Sequence, residues 1–291
     1  MAQATLRQLA FQYVRERQAI GDLAPTTVPN VRYTLLLFAD FVGDLPPRRL
    51  TATHIEQWMA SSRHSKGTAR NHLSRVKLFC RWLVRRGYLQ VDPTADIKPP
   101  KPPRPVPRSI PAAEITALIS TLPDSRSRFI CVWMCQLGLR TVEVSRLELG
   151  DVDMEQRSVL IHGKGGWQRL LPITEEAWSV LVSYLVEHPT RSGPLVRSLT
   201  EPWRGIQPAT ITRLVSRWMR EADVKGTAHG LRHSAASHLL RGQGADLRDV
   251  QDVLGHQSLT STSVYLPHSD LPRLREVMEG RRYMDPPAEA G

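Results

Sequence analysis

Cysteine is scarce in this sequence, and its scarcity excludes one way of holding a fold together. The three cysteines, Cys80, Cys131 and Cys135, are too few for a disulfide framework. Cys131 and Cys135 lie within the apolar stretch "FICVWMCQLGL", which is typical of a buried helix. We interpret them as core residues and not as metal ligands, because a thiolate metal site would need partners that this stretch lacks.

Long apolar runs are missing too. None approaches the roughly 18 residues needed to cross a membrane. The stretch 1–18 has the pattern of an amphipathic helix, without the uninterrupted apolar segment of a signal peptide. With 41% hydrophobic residues in a chain of 291, the composition fits a globular protein of two domains. We therefore expect a cytoplasmic protein with no membrane partner.

Acidic residues are under-represented in the first third of the chain. The net charge is +11, and residues 1–108 contain 18 lysines and arginines against 7 aspartates and glutamates. Residues 109–291 contain 21 of each, so the first third carries the whole excess. Positive charge concentrated on periodic sequence predicts an N-terminal domain that binds a polyanion.

The sequence divides into three parts. Residues 1–98 show four stretches of helical periodicity, and residues 99–108 form a proline-rich linker, which is extended and semi-rigid. Residues 109–291 are again mostly helical, but alternating residues on both sides of a "GKGG" turn predict a β-hairpin. The predicted fold class is mainly α with a small β-sheet or hairpin (α+β).

The helix predicted over residues 65–87 carries charge of one sign. Between Arg63 and Arg86 there are eight basic residues and no acidic ones. Such a run is usually just a solvated surface, but this one lies opposite an apolar stripe, which favours contacts with phosphates. The residues predicted to make these contacts are Lys66, Arg70, Arg75 and Arg81.

Six polar residues stand out because apolar periodicity does not account for them: Arg140, Lys164, His229, Arg232, His256 and Tyr265. Taken singly, each has an ordinary interpretation, such as a helix cap or a solvated lysine. Together they suit phosphoryl transfer, because guanidinium groups neutralise charge on a five-coordinate phosphorus and a phenol needs a base in order to attack. No carboxylate cluster with metal-ligand spacing accompanies them, which disfavours two-metal cleavage, and no clear zinc pattern is present.

Four stretches carry a resemblance to a known family: "GLRTVEVSRLELGDVD", "GKGGWQRLLPI", "HGLRHSAASHLL" and "LGHQSLTSTSVY". In this order and spacing they resemble the motifs of tyrosine recombinases of the phage-integrase and Xer type. One stretch alone is weakly specific, whereas four in order are strongly specific. The resemblance covers nearly the whole chain. It implies a helical, SAM-like core-binding domain and a catalytic domain that together form a C-shaped clamp on DNA.

The resemblance also implies how the phosphate would be bound. Arg140 and Arg232 would hold the scissile phosphate, and His256 would donate a hydrogen bond to it. Glu143 and Asp151 match the family pattern as well, and we interpret them as structural supports.

The remaining three residues would carry the chemistry of strand cleavage. Tyr265 would attack the phosphorus and leave a 3′-phosphotyrosyl linkage. Lys164 would act as general acid for the 5′ hydroxyl, and His229 would assist proton transfer as a base. Because the ester keeps the energy of the broken bond, rejoining would need neither ATP nor metal, and no cofactor is expected.

The segment after Tyr265 departs from the Xer pattern. Xer-type chains commonly have a Thr-His pair there, whereas this chain reads "LPHSD" with Pro267. We expect the C-terminal tail, residues 266–291, to dock in trans on a neighbouring subunit. The departure favours integration and excision of a mobile element, such as a viral genome, over Xer-type resolution of chromosome or plasmid dimers.

The expected partners follow from the resemblance. They are double-stranded DNA with a core site of inverted half-sites and a homo-tetramer on synapsed DNA, or a hetero-tetramer for an Xer-type protein. An accessory directionality factor is a further candidate partner. Two alternatives stay open: a type IB topoisomerase, which shares the chemistry, and a non-catalytic DNA-binding regulator.

Overall fold

The computed structural model describes residues 4–61, 63–101, 109–163, 166–201, 203–242, 245–255, 271–279 and 283–284. The chain separates into two compact units, Met1–Pro105 and Val106–Gly291. Each unit has its own hydrophobic core.

Unit 1 is helical throughout its described secondary structure, apart from turns. Its α-helices are α1 (Leu6–Ala19), α2 (Val28–Val42), α3 (Ala52–Ser61) and α4 (Lys66–Arg85). The starts of two of them are fixed by side chains that bind free backbone N–H groups. Thr5 and Gln8 form a capping box at α1, and the Ser65 hydroxyl accepts a hydrogen bond from the Thr68 N–H at α4.

Aromatic rings join α1 to α4 in the core of unit 1. The Tyr13 ring makes edge contacts with Phe79 and Trp82, at centroid distances of 5.5 and 5.6 Å. At the margin of this cluster, the Glu16 carboxylate accepts hydrogen bonds from Trp82 Nε1 at 3.0 Å and from an Arg86 Nη at 2.7 Å. The contacts fix the rotation of α4 about its axis, and therefore which of its residues face outward.

Unit 2 combines helices with one small sheet. Its helices are α5 (Ala112–Ser120), α6 (Ser125–Gln136), α7 (Thr141–Arg146), α8 (Glu175–Glu187), α9 (Pro208–Glu221), α10 (Ala228–Gly242), α11 (Leu247–Leu254) and α12 (Leu271–Glu279). The antiparallel sheet has the order β1-β2-β3, formed by β1 (Val152–Asp153), β2 (Ser158–His162) and β3 (Gln168–Pro172). Strands β2 and β3 form the predicted hairpin, with Val159 paired to Leu171.

Helix α6 forms the centre of unit 2, packed against α8 and α10. The Phe129 and Trp133 side chains are completely buried, and Phe129 stacks on Tyr184 at a centroid distance of 5.0 Å. The Trp133 Nε1 donates a hydrogen bond to the Ala177 carbonyl at 3.0 Å, which satisfies its buried polar atom. Because all seven residues from Phe129 to Cys135 are apolar and buried, the residues that follow α6 are held on a rigid support.

The three cysteines are core residues, as their apolar surroundings predict. Cys80 lies in α4, and Cys131 and Cys135 lie in α6, all of them fully buried. Burial raises the pKa of the Cys80 and Cys131 thiols, which keeps these groups protonated.

Helix α12 packs on β3 within the same chain. The Arg275 guanidinium donates hydrogen bonds to the carbonyl oxygens of Ile173 and Arg157, each at 2.9 Å. The Glu279 carboxylate accepts a hydrogen bond from the Glu175 N–H at 3.0 Å, at the first residue of α8. The structure contains one chain, so docking of the C-terminal tail on a neighbouring subunit stays a prediction.

The predicted fold class is confirmed, since the chain is mainly helical with a small antiparallel sheet. The predicted domain limits stay predictions, although the division into two units falls within the proline-rich stretch. Among the described residues, no helix is both long enough and apolar enough to cross a membrane.

The aromatic cluster of unit 1 gives a stability prediction. Phe79→Ala removes a fully buried ring and is expected to lower the free energy of unfolding by about 3–5 kcal/mol. Leu78→Ala is the matched control, because that neighbouring side chain is 47% exposed. Calorimetric unfolding of the full chain measures both variants, and equal losses would contradict this account of the core.

Candidate active site

Arg140 is held at the start of α7 by a carboxylate one turn further along. Its backbone N–H donates to Glu143 Oε2 at 2.8 Å, and its Nη1 donates to Glu143 Oε1 at 2.7 Å. The Arg140 side chain is nevertheless 37% exposed. Its guanidinium is therefore fixed on one side and open to a ligand on the other.

Glu143 is buried beneath three guanidinium groups. Besides Arg140, the Arg169 side chain from β3 donates from its Nη1 and Nη2 to the two carboxylate oxygens, each at 3.0 Å. The Arg232 Nη1 lies 3.6 Å from Oε2. Burial alone would raise the pKa of Glu143, but the hydrogen bonds and charge of Arg169 outweigh it and hold the pKa below its ordinary value. The carboxylate is thus ionised and serves as the common anchor of the cluster.

Arg232 projects from α10 into the interior, where it is 2% exposed. Its two terminal nitrogens donate hydrogen bonds to the carbonyl oxygens of Gly138 and Leu254. Burial, followed by the charge of Arg140, lowers the pKa of Arg232 to about 9, so the group is still charged at neutral pH. Arg232 therefore bridges the segment after α6 and the last residue of α11, and it stays positively charged.

The approach of these two helix ends depends on glycine. Gly138 has a φ of 60°, in the left-handed region that favours glycine. A Cβ at this position would lie 2.6 Å from Leu254 Cδ2, so any other residue here would force the buried Leu254 side chain to move. The glycine lets the segment leading to Arg140 pass directly against the end of α11.

The charges of the cluster do not balance. Arg140, Arg169 and Arg232 contribute three positive charges, and Glu143 contributes one negative charge. Uncompensated cations that are largely withdrawn from water attract an anion strongly. The excess of two matches the dianionic five-coordinate phosphorus of phosphodiester transfer. Among the described residues, no group of three or more His, Cys, Asp or Glu side chains could hold a metal ion.

His229 lies on α10 one turn before Arg232, so both side chains leave the same end of the helix. Its ring contacts the His233 ring edge-on at a centroid distance of 4.6 Å. Partial burial lowers the pKa of His229, and the charges of His233, Arg232 and Arg140 lower it further. The ring is therefore neutral at pH 7 and able to accept a proton.

The other three predicted catalytic residues, Lys164, His256 and Tyr265, lie outside the described residues. The described residues on either side of them show where these three residues join the rest of unit 2. Gly255, the residue before His256, would bring a Cβ to 3.1 Å from Arg169 Nη1. Strands β2 and β3, on both sides of Lys164, are paired from Ser158 to His162.

Asp151 supports this hairpin at the end of β2, where the strand leads into the turn. Its Oδ2 accepts a hydrogen bond from the Glu148 N–H at 2.9 Å, and its Oδ1 lies 2.8 Å from His162 Nε2. The pair borders an open surface cleft of about 480 Å³. Asp151 thus joins the turn after α7 to the end of β2, in agreement with a structural role.

In unit 1, the four residues predicted to contact phosphates lie on two different faces of helix α4. Lys66, Arg70 and Arg81 fall within about 60° of one another on the helix circumference, whereas Arg75 lies about 180° from Lys66. The Arg75 Nη1 donates to the Thr34 hydroxyl on α2 at 2.8 Å, and the side chain is half-buried. The structure thus brings three candidates to one face and turns the fourth toward α2.

Two residues relevant to these sites were missed by the sequence analysis. Lys77 shares the face of Lys66 on α4 and was not among the four candidates. Arg169 contacts Glu143, and although it lies within the stretch "GKGGWQRLLPI" it was given no role in the sequence analysis. A signal was present: strand alternation places Arg169 on the same side of β3 as the fully buried Leu171, where a charged residue needs a partner.

Comparison with known proteins agrees with this architecture. Residues 108–271 match the phage integrase family. The chain is 36% identical over 256 residues to tyrosine recombinase XerC of Mycobacterium tuberculosis (strain ATCC 25177 / H37Ra), covering 79% of this chain and 83% of that protein. It is 30% identical over 275 residues to tyrosine recombinase XerC of Haemophilus ducreyi (strain 35000HP / ATCC 700724), covering 89% and 88%.

A solved structure gives the same fold. A lambda integrase (75–356) dimer bound to a COC′ core site superposes with a TM-score of 0.75 at 16% sequence identity, over 90% of this chain and 100% of that one. The family match, the XerC relatives and the buried arginine cluster lead to one conclusion. This chain belongs to the phage integrase family and is a tyrosine recombinase, an enzyme that cleaves and rejoins DNA strands.

Proposed function

We propose that this recombinase acts at a specific DNA site through a covalent bond between Tyr265 and the 3′ phosphate. The observation that carries the proposal is the arginine cluster around Glu143, which presents two uncompensated positive charges. Arg140 and Arg232 bind the scissile phosphate, with His256 as a further hydrogen-bond donor.

Cleavage transfers the phosphoryl group without net loss of bond energy. The Tyr265 oxygen forms a bond to phosphorus while the bond from phosphorus to the 5′ oxygen breaks. His229 takes up the phenolic proton, and Lys164 delivers a proton to the departing 5′ oxygen. A 5′ hydroxyl of another strand then reverses the step, so rejoining consumes no ATP.

Unit 1 supplies affinity for duplex DNA through the exposed face of α4. Lys66, Arg70 and Arg81 contact phosphates, and Lys77 extends this face. Arg75 is expected to contribute least, because its guanidinium is already bound to Thr34. The functional assembly is a tetramer on two synapsed sites, each with inverted half-sites, as in a lambda integrase tetramer bound to a Holliday junction.

The biological role that we favour is Xer-type resolution of chromosome or plasmid dimers. The XerC relatives support it, since they match most of the chain at 30–36% identity. Integration and excision of a mobile element, the role that the sequence analysis ranked first, is the second candidate. The specific feature in its favour is the segment "LPHSD" after Tyr265, which lacks the usual Thr-His pair.

The nucleophile is tested with a randomised library of nicked duplexes that trap covalent 3′ adducts. Wild type is expected to give detergent-resistant adducts, and Tyr265→Phe is expected to bind DNA but give none. Sequencing the trapped DNA identifies the core site, whose genomic position separates the two candidate roles. Good binding without any wild-type adduct would identify a DNA-binding regulator, and supercoil relaxation without strand exchange would identify a topoisomerase.

The state of His229 gives a prediction about pH. Its pKa lies below the ordinary 6.5, so the neutral base is fully present above that pH and is lost as the pH falls through the lowered pKa. The single-turnover rate of adduct formation is therefore expected to level off above pH 6.5 and to fall at lower pH. His229→Gln should be roughly 10²-fold slower and lack this acid limb. An unchanged acid limb in the variant would contradict the assignment.

The basic face of α4 is tested by the salt dependence of DNA binding. Replacing Lys66, Arg70 or Arg81 with Gln is expected to reduce the slope of log K against log salt concentration by about one, because each contact releases one condensed counterion. Arg75→Gln is the matched comparison on the same helix and should change the slope less. Unchanged slopes for all four variants would place the DNA on another face.

A further inference from the structure

Arg169 occupies a position that no predicted catalytic role explains. Its side chain is 10% exposed, and all three of its guanidinium nitrogens are hydrogen-bonded. Nη1 and Nη2 bind the two oxygens of Glu143, while Nε donates to the Val253 carbonyl at 2.9 Å. Every nitrogen of Arg169 is thus bound within the protein, and two of the three bind the carboxylate that anchors the cluster, which points to a role in holding the cluster together.

The partners of Arg169 belong to separate parts of the site. Glu143 orients Arg140, as described above, through hydrogen bonds to both its backbone and its side chain. Val253 lies in the last turn of α11, three residues before His256. Arg169 itself lies on β3, five residues after Lys164. One guanidinium therefore connects the segments that carry a phosphate-binding arginine, the general acid and a phosphate-binding histidine.

The end of α11 packs closely on this guanidinium. Gly255 adopts a left-handed conformation with φ of 61°, and a Cβ there would meet Arg169 Nη1 at 3.1 Å and Cδ at 3.3 Å. The end of α11 thus lies directly on the arginine. A lysine could not reproduce the arrangement, because a single ammonium group lacks the planar fork that binds two carboxylate oxygens and a carbonyl together.

We infer that Arg169 is a positioning residue that sets the geometry of strand cleavage, acting through Glu143 on Arg140 and through Val253 on the start of the His256 segment. This inference rests on the proposed function of those residues. It predicts that loss of the Arg169 guanidinium lowers the rate of strand cleavage but leaves the dissociation constant for DNA nearly unchanged. A displacement of about 1 Å in a binding group can slow a reaction by about 10²-fold.

A double-mutant cycle between Arg169 and Glu143 tests the inference. The rate of single-turnover adduct formation on the nicked site is measured for wild type, Arg169→Lys, Glu143→Gln and the double variant, together with the dissociation constant for DNA. Arg169→Lys is expected to lower the rate by about 10²-fold and to change the dissociation constant by less than about threefold. When Arg169→Lys is added to Glu143→Gln, it should lower the rate by less than about threefold. The Arg169 guanidinium has already lost its carboxylate partner in that background.

Two further variants control for folding. Arg126→Lys also removes a guanidinium that donates to a carbonyl, the partly buried one of Arg197. Arg126 lies near the start of α6, about 15 Å along the helix from the end that leads to Arg140. It should leave the rate within about threefold of wild type. Gly255→Ala keeps every nitrogen of Arg169 but crowds the fork, and it is expected to lower the rate as Arg169→Lys does.

The outcomes separate the inference from the proposed function. Equal rate losses from Arg169→Lys in both backgrounds would overturn the positioning role, as would a loss confined to DNA binding. If Arg169→Lys shows no unfolding transition, it has not folded and its rate cannot be used. Gly255→Ala then tests the inference, and a wild-type rate in Gly255→Ala would overturn it. Absence of any Tyr265-dependent adduct from wild type would instead overturn the proposed function itself.

Discussion

The buried carboxylate of Glu143 is the interaction on which the rest of the catalytic unit depends. One anion accepts hydrogen bonds from Arg140 and Arg169 and lies within ion-pair distance of Arg232. Without it, three guanidinium groups would repel one another in a region of low dielectric constant. With it, the repulsion is reduced but not cancelled, and a net positive charge remains for an anion such as the proposed phosphate. The same residue therefore permits the cluster to fold and leaves it reactive.

The fold brings this cluster together from distant parts of the sequence by stacking helix ends. Gly138 follows closely on the end of α6, and Gly255 follows directly on the end of α11. Carbonyl oxygens at both places accept hydrogen bonds from arginines of the site. Carbonyl groups at helix C-termini carry partial negative charge, which favours cations there. The site thus uses backbone dipoles as well as Glu143 to hold cations together. Removing Arg169 or Arg232 would take one guanidinium from the Glu143 carboxylate and one hydrogen-bond donor from a carbonyl at the end of α11.

Much of this architecture could be predicted from the sequence, but the shared contacts could not. Helical periodicity located α1 and α4, and the "GKGG" turn located the hairpin, because these features depend on neighbours a few residues away. The motif resemblance singled out Arg140 and Arg232 as phosphate ligands. The link from Glu143 to Arg169 joins positions 26 residues apart, and only tertiary packing creates it. For the same reason, the turning of Arg75 toward Thr34 could not be read from a run of basic residues.

The burial of every cysteine has a practical consequence for studying this enzyme. The thiols lie in the cores of both units, and two of them have a raised pKa, so little reactive thiolate is available to an alkylating reagent. A single cysteine introduced on an exposed surface, such as the solvent side of α4, would react first. A fluorophore or spin label could then be attached to that cysteine without replacing any of the three native cysteines. Distances from the label could be followed as DNA binds.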